Sequence, residues 1–150
     1  MICNPYVVPD EALTLALTTA AQRNVDVRLI VSEIGDQFWV YHAQRSYYEE
    51  LLRAGVKVHL YSSPVLLHSK TMSIDDDIAV VGSSNLDMRS LTLNLEVTLV
   101  AYDASVVADL RGVEAEYLPH CTRVELAAWR ARPLAAQLFD NLARLTAALQ

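Results

Sequence analysis

The sequence has little of what marks secreted or membrane-spanning proteins. It holds two cysteines, Cys3 and Cys121, which lie far apart and are too few for a disulfide framework. Although 53% of the residues are hydrophobic, they form no run of about eighteen apolar residues, which a membrane span needs. The N-terminus also lacks the basic and then apolar layout of a signal peptide. We therefore expect two reduced thiols in a domain of cytosolic type.

Positive charge and repetition are scarce too. Lys and Arg number 12 against 18 Asp and Glu, which gives a formal net charge of −6. Proteins that bind nucleic acid usually present a basic surface to the phosphate backbone, so the negative net charge argues against a nucleic-acid partner. A local basic patch is still compatible with this net charge. The sequence has no internal repeat and no low-complexity segment. At 150 residues, the chain has the size of one domain with a real core.

The first half of the chain alternates between helical and extended patterns. Asp10 is a predicted helix cap before an apolar stripe at helical spacing, and Gly55 ends a second predicted helix, Phe38–Ala54. Residues 25–31 and 56–61 are predicted strands. Because further strands cluster in the middle of the chain, we expect an α/β fold in layers, with a mixed β-sheet flanked by helices.

The last third of the chain is predicted to be mostly helical. Residues 96–102 predict a buried strand, after which Asp103 or Ser105 caps a helix. Thr122-x-x-Glu125 has the pattern of a capping box that opens a short helix. The apolar face of the helix after Asp103 is predicted to comprise Val106, Leu110, Val113 and Tyr117. The final helix carries a stripe formed by Leu134, Leu138, Leu142, Leu145 and Leu149. Core packing is the favoured interpretation of this stripe, and contact with a membrane surface or a partner domain is the alternative.

Residues 66–96 gather polar side chains that can act on a ligand. His68 and Lys70 lie two apart, so on a predicted strand their imidazole and ammonium groups share one face. Three consecutive aspartates from Asp75 to Asp77 predict a polar turn, and residues 78–81 predict a short buried strand. That strand ends at Gly82-Ser83-Ser84-Asn85, where small residues let a ligand approach the backbone.

These residue types suit a phosphate group. Lys70 supplies positive charge, and Ser83 and Asn85 can donate hydrogen bonds. His68 can attack phosphorus or move a proton near neutral pH. The adjacent aspartates could suggest a metal site, but three consecutive carboxylates cannot easily face one ion, so we favour a solvated turn. The other histidines, expected to be surface or packed residues rather than ligands, are His42, His59 and His120.

The spacing of these residues carries a resemblance to a known family. His68-x-Lys70-x4-Asp75-x6-Gly82-Ser83-x-Asn85 is the full HKD pattern of the phospholipase D superfamily, which this chain resembles. The stretch 85–90, NLDMRS, followed by LNLE at 93–96, resembles the bacterial cardiolipin synthase branch, as do residues 5–11 and 45–52. The resemblance covers nearly the whole chain and corresponds to the C-terminal half of that family's proteins. It implies that residues 1–150 form one phospholipase D-like half-domain, truncated at its N-terminus, with C-terminal helices at 122–150.

The resemblance also implies an activity and its partners. Such enzymes transfer a phosphatidyl group from one phosphatidylglycerol, or another phosphodiester lipid, to a histidine and then to the hydroxyl of a second lipid, without a metal or other cofactor. They use two histidines, one from each HKD motif, whereas here only His68 is followed two residues later by lysine. A second HKD half must therefore come from an identical subunit or from a missing N-terminal half. The full-length relatives imply the cytoplasmic side of a bacterial inner membrane, with this fragment soluble or peripheral.

The family pattern further implies roles for single residues. His68 is the nucleophile or the acid, and Glu96 bonds its other ring nitrogen and fixes the tautomer. Arg89 holds a second headgroup phosphate or pairs with Asp87. Asp75 matches the motif and is either catalytic or structural. The expected phosphate-binding residues are Ser83, Asn85 and Arg89, together with Lys70 at the nonbridging oxygens.

Two other functions stay open from the sequence. A homodimeric phosphodiesterase or nuclease with a single motif is favoured by the short chain and disfavoured by the negative charge and by the stretch from Asn85 to Glu96. An inactive remnant of a truncated gene, which folds but lacks its partner half, is the non-enzymatic alternative.

Overall fold

The computed structural model describes residues 1–145. Two strand groups and six helices account for most of them. The strands are β1 (Ile2–Cys3), β2 (Val7–Val8), β3 (Arg28–Ser32), β4 (Lys57–Tyr61), β5 (Thr71–Ile74), β6 (Ile78–Gly82), β7 (Leu86–Asp87), β8 (Thr98–Ala101) and β9 (Cys121–Arg123). The helices are α1 (Glu11–Gln22), α2 (Phe38–Ala54), α3 (Met88–Thr92), α4 (Ala104–Tyr117), α5 (Leu126–Arg130) and α6 (Leu134–Arg144), and a 3₁₀ turn covers Leu118–His120.

The main sheet has seven strands in the order β8-β6-β5-β1-β3-β4-β9. Its centre is parallel, because β3 runs parallel to both β1 and β4, whereas β5, β6, β8 and β9 add antiparallel pairs. A separate short pair joins β2 and β7 in parallel. The predicted α/β fold with a mixed β-sheet flanked by helices is therefore confirmed.

Successive residues of the central strands point to opposite faces of the sheet and divide the core into two parts. Leu29 and Val31 face a cluster that includes Tyr48 and Leu51 of α2. Ile30 faces the other side, with Cys3 and Leu67. Helices thus cover both faces, as a sheet with a parallel centre requires.

Helix ends follow local sequence closely. The carboxylate of Asp10 accepts a hydrogen bond from the backbone N–H of Leu13 at 2.8 Å, and so caps α1. Helix α2 begins at Phe38 and ends at Ala54, where Gly55 takes a φ of 101° that suits glycine. Asp103 caps α4 through the backbone N–H of Ser105 at 2.8 Å. These three predicted ends are confirmed.

Several boundaries and faces differ from the sequence predictions. The third strand begins at Arg28 rather than at residue 25, because Asn24 has a φ of 65° and the chain is still turning there. The predicted capping box is wrong, since Thr122 lies inside β9 and α5 starts after Glu125 with no side-chain cap. In α4 the face that packs on the sheet holds Val107, Leu110 and Glu114, whereas Val106 and Val113 are exposed.

Strand β8 and helix α6 expose apolar residues that were expected in the core. Among the described strands, β8 pairs only with β6, at the sheet edge, and Leu99 is 64% exposed. On α6 the buried residues are Asp140 and Ala143, while the leucines at 134, 138, 142 and 145 are between 60% and 78% exposed. Core packing of this stripe is therefore wrong, and Leu149 lies outside the described residues. Within residues 1–145, no helix combines the length and the apolar character needed to cross a bilayer.

Candidate active site

His68 and Lys70 lie immediately before β5, in extended chain that does not itself form a ladder. Leu67 is buried and its N–H donates to Ser32 Oγ at 3.3 Å, which anchors the segment, while the next side chain, His68, is exposed. The predicted strand thus begins later than expected, at Thr71. The two side chains nevertheless meet, with Lys70 Nζ at 3.1 Å from His68 Nδ1 and 3.5 Å from Nε2.

Lys70 is tied to the glycine-serine segment through the backbone. The N–H of Gly82 donates to the carbonyl of Lys70 at 3.0 Å, so the end of β6 lies beside the start of β5. Partial burial lowers the pKa of the Lys70 ammonium, and the negative charges of Glu96 and Asp87 oppose that shift. The Lys70 ammonium thus lies near two carboxylates, whose charges favour its protonated form.

Gly82 allows a close approach of two segments. A Cβ at this position would lie 3.0 Å from both Thr98 Oγ1 and the carbonyl oxygen of Val97. Ser83 follows, and its N–H donates to the Val97 carbonyl at 3.0 Å, while the N–H of Val97 donates to Ser83 Oγ, also at 3.0 Å. Glycine therefore lets the segment before β8 lie against the end of β6.

This close approach places Glu96 beside Ser83 rather than beside the imidazole. The Ser83 hydroxyl donates to one carboxylate oxygen of Glu96, and Asn94 Nδ2 donates to the other at 3.4 Å. Among residues 1–145, no hydrogen bond joins Glu96 to His68. The expected contact with the second ring nitrogen is therefore not formed in this structure, although the carboxylate lies in the same group of strand ends.

Asn85 and Arg89 belong to a neighbouring cleft of about 460 Å³, which is also lined by Phe38, Trp39 and Asn94. The Asn85 Oδ1 atom is buried and has no hydrogen-bond partner within the described chain. This oxygen accepts hydrogen bonds, so a hydroxyl or N–H group of a ligand can satisfy it, whereas a phosphate oxygen can bond only to the amide's Nδ2. The residues expected to bind phosphate thus fall in two places, Lys70 and Ser83 by the strand ends and Asn85 in the cleft.

Arg89 does not pair with Asp87, which was one of its two expected roles. Asp87 is buried, and its carboxylate accepts a hydrogen bond from the N–H of Ser90 at 2.6 Å, so it caps α3. The guanidinium of Arg89 makes no ion pair within residues 1–145 and borders the cleft of Asn85. Its other expected role, to hold a headgroup phosphate, therefore stays a prediction.

Asp75 lies at the other end of the β5–β6 hairpin, away from His68. It occupies the turn between Ile74 and Ile78 with a φ of 48°, a conformation that aspartate tolerates better than most residues. Lys70 lies five positions earlier in largely extended chain, which corresponds to roughly 16 Å at about 3.3 Å per residue. The structure therefore supports the turn role of Asp75 and does not bring its carboxylate to the imidazole.

Two of the other three histidines contact residues away from the candidate site, and the third, His59, has a buried Nε2 with no hydrogen-bond partner among residues 1–145. His42 Nδ1 lies 2.8 Å from a carboxylate oxygen of the buried Asp140, and His120 contacts the ring of Tyr61. Burial and nearby cations lower the pKa of His59. No group of three or more His, Cys, Asp or Glu side chains in residues 1–145 is arranged to hold a metal ion.

One residue that positions the site was missed from the sequence. Asn4 is buried, and its Nδ2 donates to the carbonyl of Ser84 at 3.1 Å, while its Oδ1 accepts from the N–H groups of Tyr6 and Leu86. It holds the segment between β6 and β7 against β1. A single asparagine after a two-residue strand gives no periodic or motif signal, so the sequence offered no means of finding it.

Residues 1–114 match the family described as "Cardiolipin synthase, PLD-like domain". The chain belongs to this family. The resemblance seen in the sequence is therefore confirmed, and every candidate site residue from His68 to Glu96 lies within the matched part.

Cardiolipin synthases A are among the similar curated proteins. The protein of Proteus mirabilis strain HI4320 is 41% identical over 142 residues, which are 95% of this chain and 29% of that protein. The protein of Yersinia pestis strain Angola is 42% identical over the same share of each. The chain thus spans less than a third of the length of the curated relatives it matches.

Solved structures of this fold are more distant in sequence. The phosphatidylserine synthase of Haemophilus influenzae matches with a TM-score of 0.76 at 19% identity, over 99% of this chain and 39% of that one. Nuc of Salmonella typhimurium, a phospholipase D family member, matches with a TM-score of 0.69 at 18% identity, over 83% and 80% of the two chains. At these identities the likeness shows the shared fold.

Proposed function

We propose that this chain supplies one HKD half-site of a phosphatidyltransferase that makes cardiolipin from phosphatidylglycerol. A ring nitrogen of a histidine attacks the phosphorus of the first lipid, forming an N–P bond while the P–O bond to glycerol breaks and glycerol leaves with a proton. The hydroxyl of a second phosphatidylglycerol then attacks the phosphohistidine, forming a P–O bond as the N–P bond breaks and giving its proton to the histidine of the second half, which had protonated the departing glycerol; both imidazoles are thereby restored. The observation that carries the proposal is the exposed imidazole of His68 with the Lys70 ammonium 3.1 Å from Nδ1.

The surrounding residues take roles that fit their chemistry. Lys70 and Ser83 bind the nonbridging oxygens and offset the charge that grows in the transition state. Glu96, already linked to Ser83, turns to the ring nitrogen of His68 when substrate draws the serine hydroxyl and the ammonium to the phosphate. Asn85 and Arg89 hold the headgroup of a lipid in the adjoining cleft.

One histidine cannot both attack phosphorus and protonate the first leaving group, so the proposal requires a second HKD half. That half comes from an identical subunit across a two-fold axis or from a separate N-terminal half. His68 acts as nucleophile or as acid according to which half binds the donor lipid. No metal or other cofactor takes part, and the whole protein works at the cytoplasmic side of a bacterial inner membrane.

A homodimeric phosphodiesterase or nuclease is the second candidate, and one observation favours it. This chain covers 80% of the length of Nuc, so a chain of this size can hold a whole subunit of the shared fold. The net charge of −6 works against a nucleic-acid substrate. The third candidate is an inactive half, for which the exposed imidazole would have no second histidine.

The deciding experiment offers the purified chain two substrates, alone and mixed with a separately purified N-terminal half of a cardiolipin synthase. Radiolabelled phosphatidylglycerol vesicles report cardiolipin and free glycerol, and bis(p-nitrophenyl) phosphate reports plain diester hydrolysis. We expect cardiolipin when both halves are present, and its loss in His68→Ala. Hydrolysis of the plain diester by the chain alone, with silence on vesicles, would support the second candidate.

Sedimentation of the same samples separates the remaining possibilities. A monomer without activity in either mixture supports the inactive half. Wild-type rates from His68→Ala, in the presence of a competent second half, would remove His68 from the chemistry and overturn the proposal.

A further inference from the structure

One face of the main sheet is covered over only part of its width. Over β1, β3 and β4 this face packs on α1 and α2, through a cluster that includes Leu17, Leu29 and Leu51. Over β5, β6 and β8 the same face is more exposed, since Ile74 and Val100 are each 43% exposed. The strand pairing places on this open face the side chains of Met72, Ile74, Ile78, Val80 and Val100.

The opposite face of these strands is closed by helix α4. Val107 and Leu110 of that helix form a buried cluster with Ala79 of β6, and Ala101 of β8 packs against it. A sheet with a parallel centre is normally covered on both faces. The open face therefore lacks a layer that the other face has.

A cavity of about 180 Å³ joins the open face to the candidate site. Lys70 and Gly82 of the site line this cavity, as do Met72 and Val80 of the open face. The ammonium of Lys70 in turn contacts the imidazole of His68. A layer that covers the open face therefore borders the reacting groups, and a second histidine carried by that layer can reach the site.

The chain segment from α3 through β8 adds to the apolar surface at this edge of the sheet. Eight large apolar side chains between residues 88 and 102 are 36% or more exposed, and only two residues of this segment are charged. At on the order of 100 Å² each, these side chains approach the roughly 800 Å² that one partner buries in a stable interface. The cores of protein interfaces are depleted of charge, whereas nucleic acids and anionic lipids are bound by basic side chains. The composition therefore fits a protein partner.

The direction of the strands decides how a second copy of the chain can complete the site. Strands β5 and β8 run in the same direction, since each is antiparallel to β6. Antiparallel pairing of β8 with β8 of a second copy would therefore put the two His68 rings at opposite ends of the extended sheet. The two β5 strands would also lie five strand spacings apart, which is about 24 Å. One phosphorus atom cannot contact both rings in that arrangement, so pairing along the β8 edge is excluded.

We infer that a second copy of this chain packs on the open face, about a two-fold axis that runs along the strands. Such an axis keeps the site ends of both sheets together and turns the two faces that carry Lys70 toward each other. The two His68 rings then approach one phosphodiester from opposite sides, so that one attacks phosphorus while the other protonates the leaving oxygen. The inference rests on the proposed function, which needs a second histidine, and adds to it the partner, the contact surface and the orientation.

Sedimentation equilibrium of the purified chain tests this contact without turnover. We expect a dimer, and Ile74→Lys with Val100→Lys should raise its dissociation constant about ten-fold or more, because each copy then brings two charges into an apolar contact. The matched control is Val106→Lys with Val113→Lys, at residues that are 40% and 44% exposed on the helix covering the opposite face. This control should dimerise as wild type. Val100→Lys alone is the milder variant if the double substitution on the open face unfolds the chain.

Mixed dimers give a second readout, which reports the shared site. An excess of His68→Ala chain should lower the turnover of the wild-type chain, because each mixed dimer holds only one His68 ring. His68→Ala that also carries Ile74→Lys and Val100→Lys should not lower it, since this chain no longer pairs. Rates of cardiolipin formation on phosphatidylglycerol vesicles provide the measurement.

Three results would overturn the inference. They are a wild-type chain that stays monomeric, even one that binds a separate N-terminal half, wild-type dimerisation of the folded open-face variant, or equal weakening of the dimer by that variant and its control. Circular dichroism confirms that each variant is folded. Dimerisation needs no turnover, so His68→Ala should dimerise as wild type. A dimer held by the open face but without activity would reject the proposed function alone, whereas cardiolipin made by a monomer with an N-terminal half would reject this inference alone.

Discussion

The Nζ atom of Lys70 lies 3.1 Å from Nδ1 and 3.5 Å from Nε2 of His68, so one ammonium contacts both nitrogens of one imidazole ring. A hydrogen bond along the lone pair of either nitrogen would bring the ammonium near that atom alone. The ammonium of Lys70 therefore lies over the face of the ring and makes no directed hydrogen bond to a single ring nitrogen. A phosphate that draws the ammonium away leaves both nitrogens accessible.

Replacement of Lys70 tests whether this ammonium acts on the substrate. Lys70→Met should lower turnover by about 10²–10³-fold, because one preorganised donor to the transition state is lost. The matched control is Lys57→Met, since Lys57 is the chain's other lysine and pairs with Asp26 at 2.7 Å. Steady-state rates on phosphatidylglycerol vesicles, with a second half present, provide the measurement. Equal rates for the two variants would contradict the role of Lys70.

Glu96→Gln should slow the reaction less than His68→Ala, by about 10–100-fold, as expected for a residue that orients a reacting group. Glutamine keeps the size of the side chain and can still accept from Ser83, but it no longer carries the charge that stabilises an imidazolium. The pH–rate profile is the additional readout, and its acidic limb should move in Glu96→Gln. An unchanged profile together with an unchanged rate would make Glu96 a structural partner of Ser83.

Asp75→Gly should leave turnover close to wild type. The residue has a φ of 48° in the β5–β6 turn, which glycine adopts freely, so the free energy of unfolding should change by about 1 kcal/mol or less. Asp75→Val should lower it by about 1–2 kcal/mol, because a β-branched side chain is strained there. Urea unfolding and kinetics check both variants. A loss of turnover in Asp75→Gly comparable to that of His68→Ala would restore a catalytic role to the carboxylate.

The two cysteines should be unreactive in the native protein. Burial, with the nearby Glu114 charge, raises the pKa of the Cys3 thiol to about 12, and burial raises that of Cys121 to about 11. At pH 8 about one thiol in a thousand or fewer is then the reactive thiolate. Iodoacetamide followed by mass spectrometry should label neither cysteine before denaturation and both after it. Rapid native labelling of Cys3 would show that β1 opens readily.

Asp140→Ala should lower the free energy of unfolding by about 2–4 kcal/mol, because the partly buried side chains of Arg132, Arg45 and His42 lose their shared, buried hydrogen-bond partner. The control is Asp76→Ala, which removes an exposed contact with Arg111 and should cost less than about 1 kcal/mol. Denaturant titrations of both variants give the comparison. Equal losses would mean that the Asp140 cluster contributes no more than a surface pair.

The sequence predicted helix ends correctly where a capping residue stands at the end of the helix. Asp10 and Gly55 bound helices because each satisfies a helix terminus through a short-range hydrogen bond or a left-handed backbone. The HKD spacing likewise identified His68 and Lys70, because the motif consists of side chains that lie close together in the folded protein. The strand start at Arg28 was missed because the apolar run beginning at Val25 does not show where the chain stops turning.

Which side chains of the later helices and strands are buried depends on long-range contacts, and a local sequence pattern does not contain this information. The leucines of α6 have the spacing of a core-facing helix, yet Asp140 determines which side faces inward, through partners about 100 residues earlier in the chain. Similarly, the position of Glu96 depends on how closely β6 and β8 approach at Gly82, a long-range fact that motif spacing does not give.

The cluster around Asp140 limits the rotation of α6 about its own axis. To hide its leucines, the helix would have to roll about its own axis by roughly half a turn, given about 100° per residue. That roll would withdraw the carboxylate from Arg132, His42 and Arg45 and leave two partly buried guanidinium groups without this counterion. The ion pairs of Asp140 therefore oppose the rotation of α6 that hydrophobic burial alone would favour, and the leucines of this helix stay exposed to solvent.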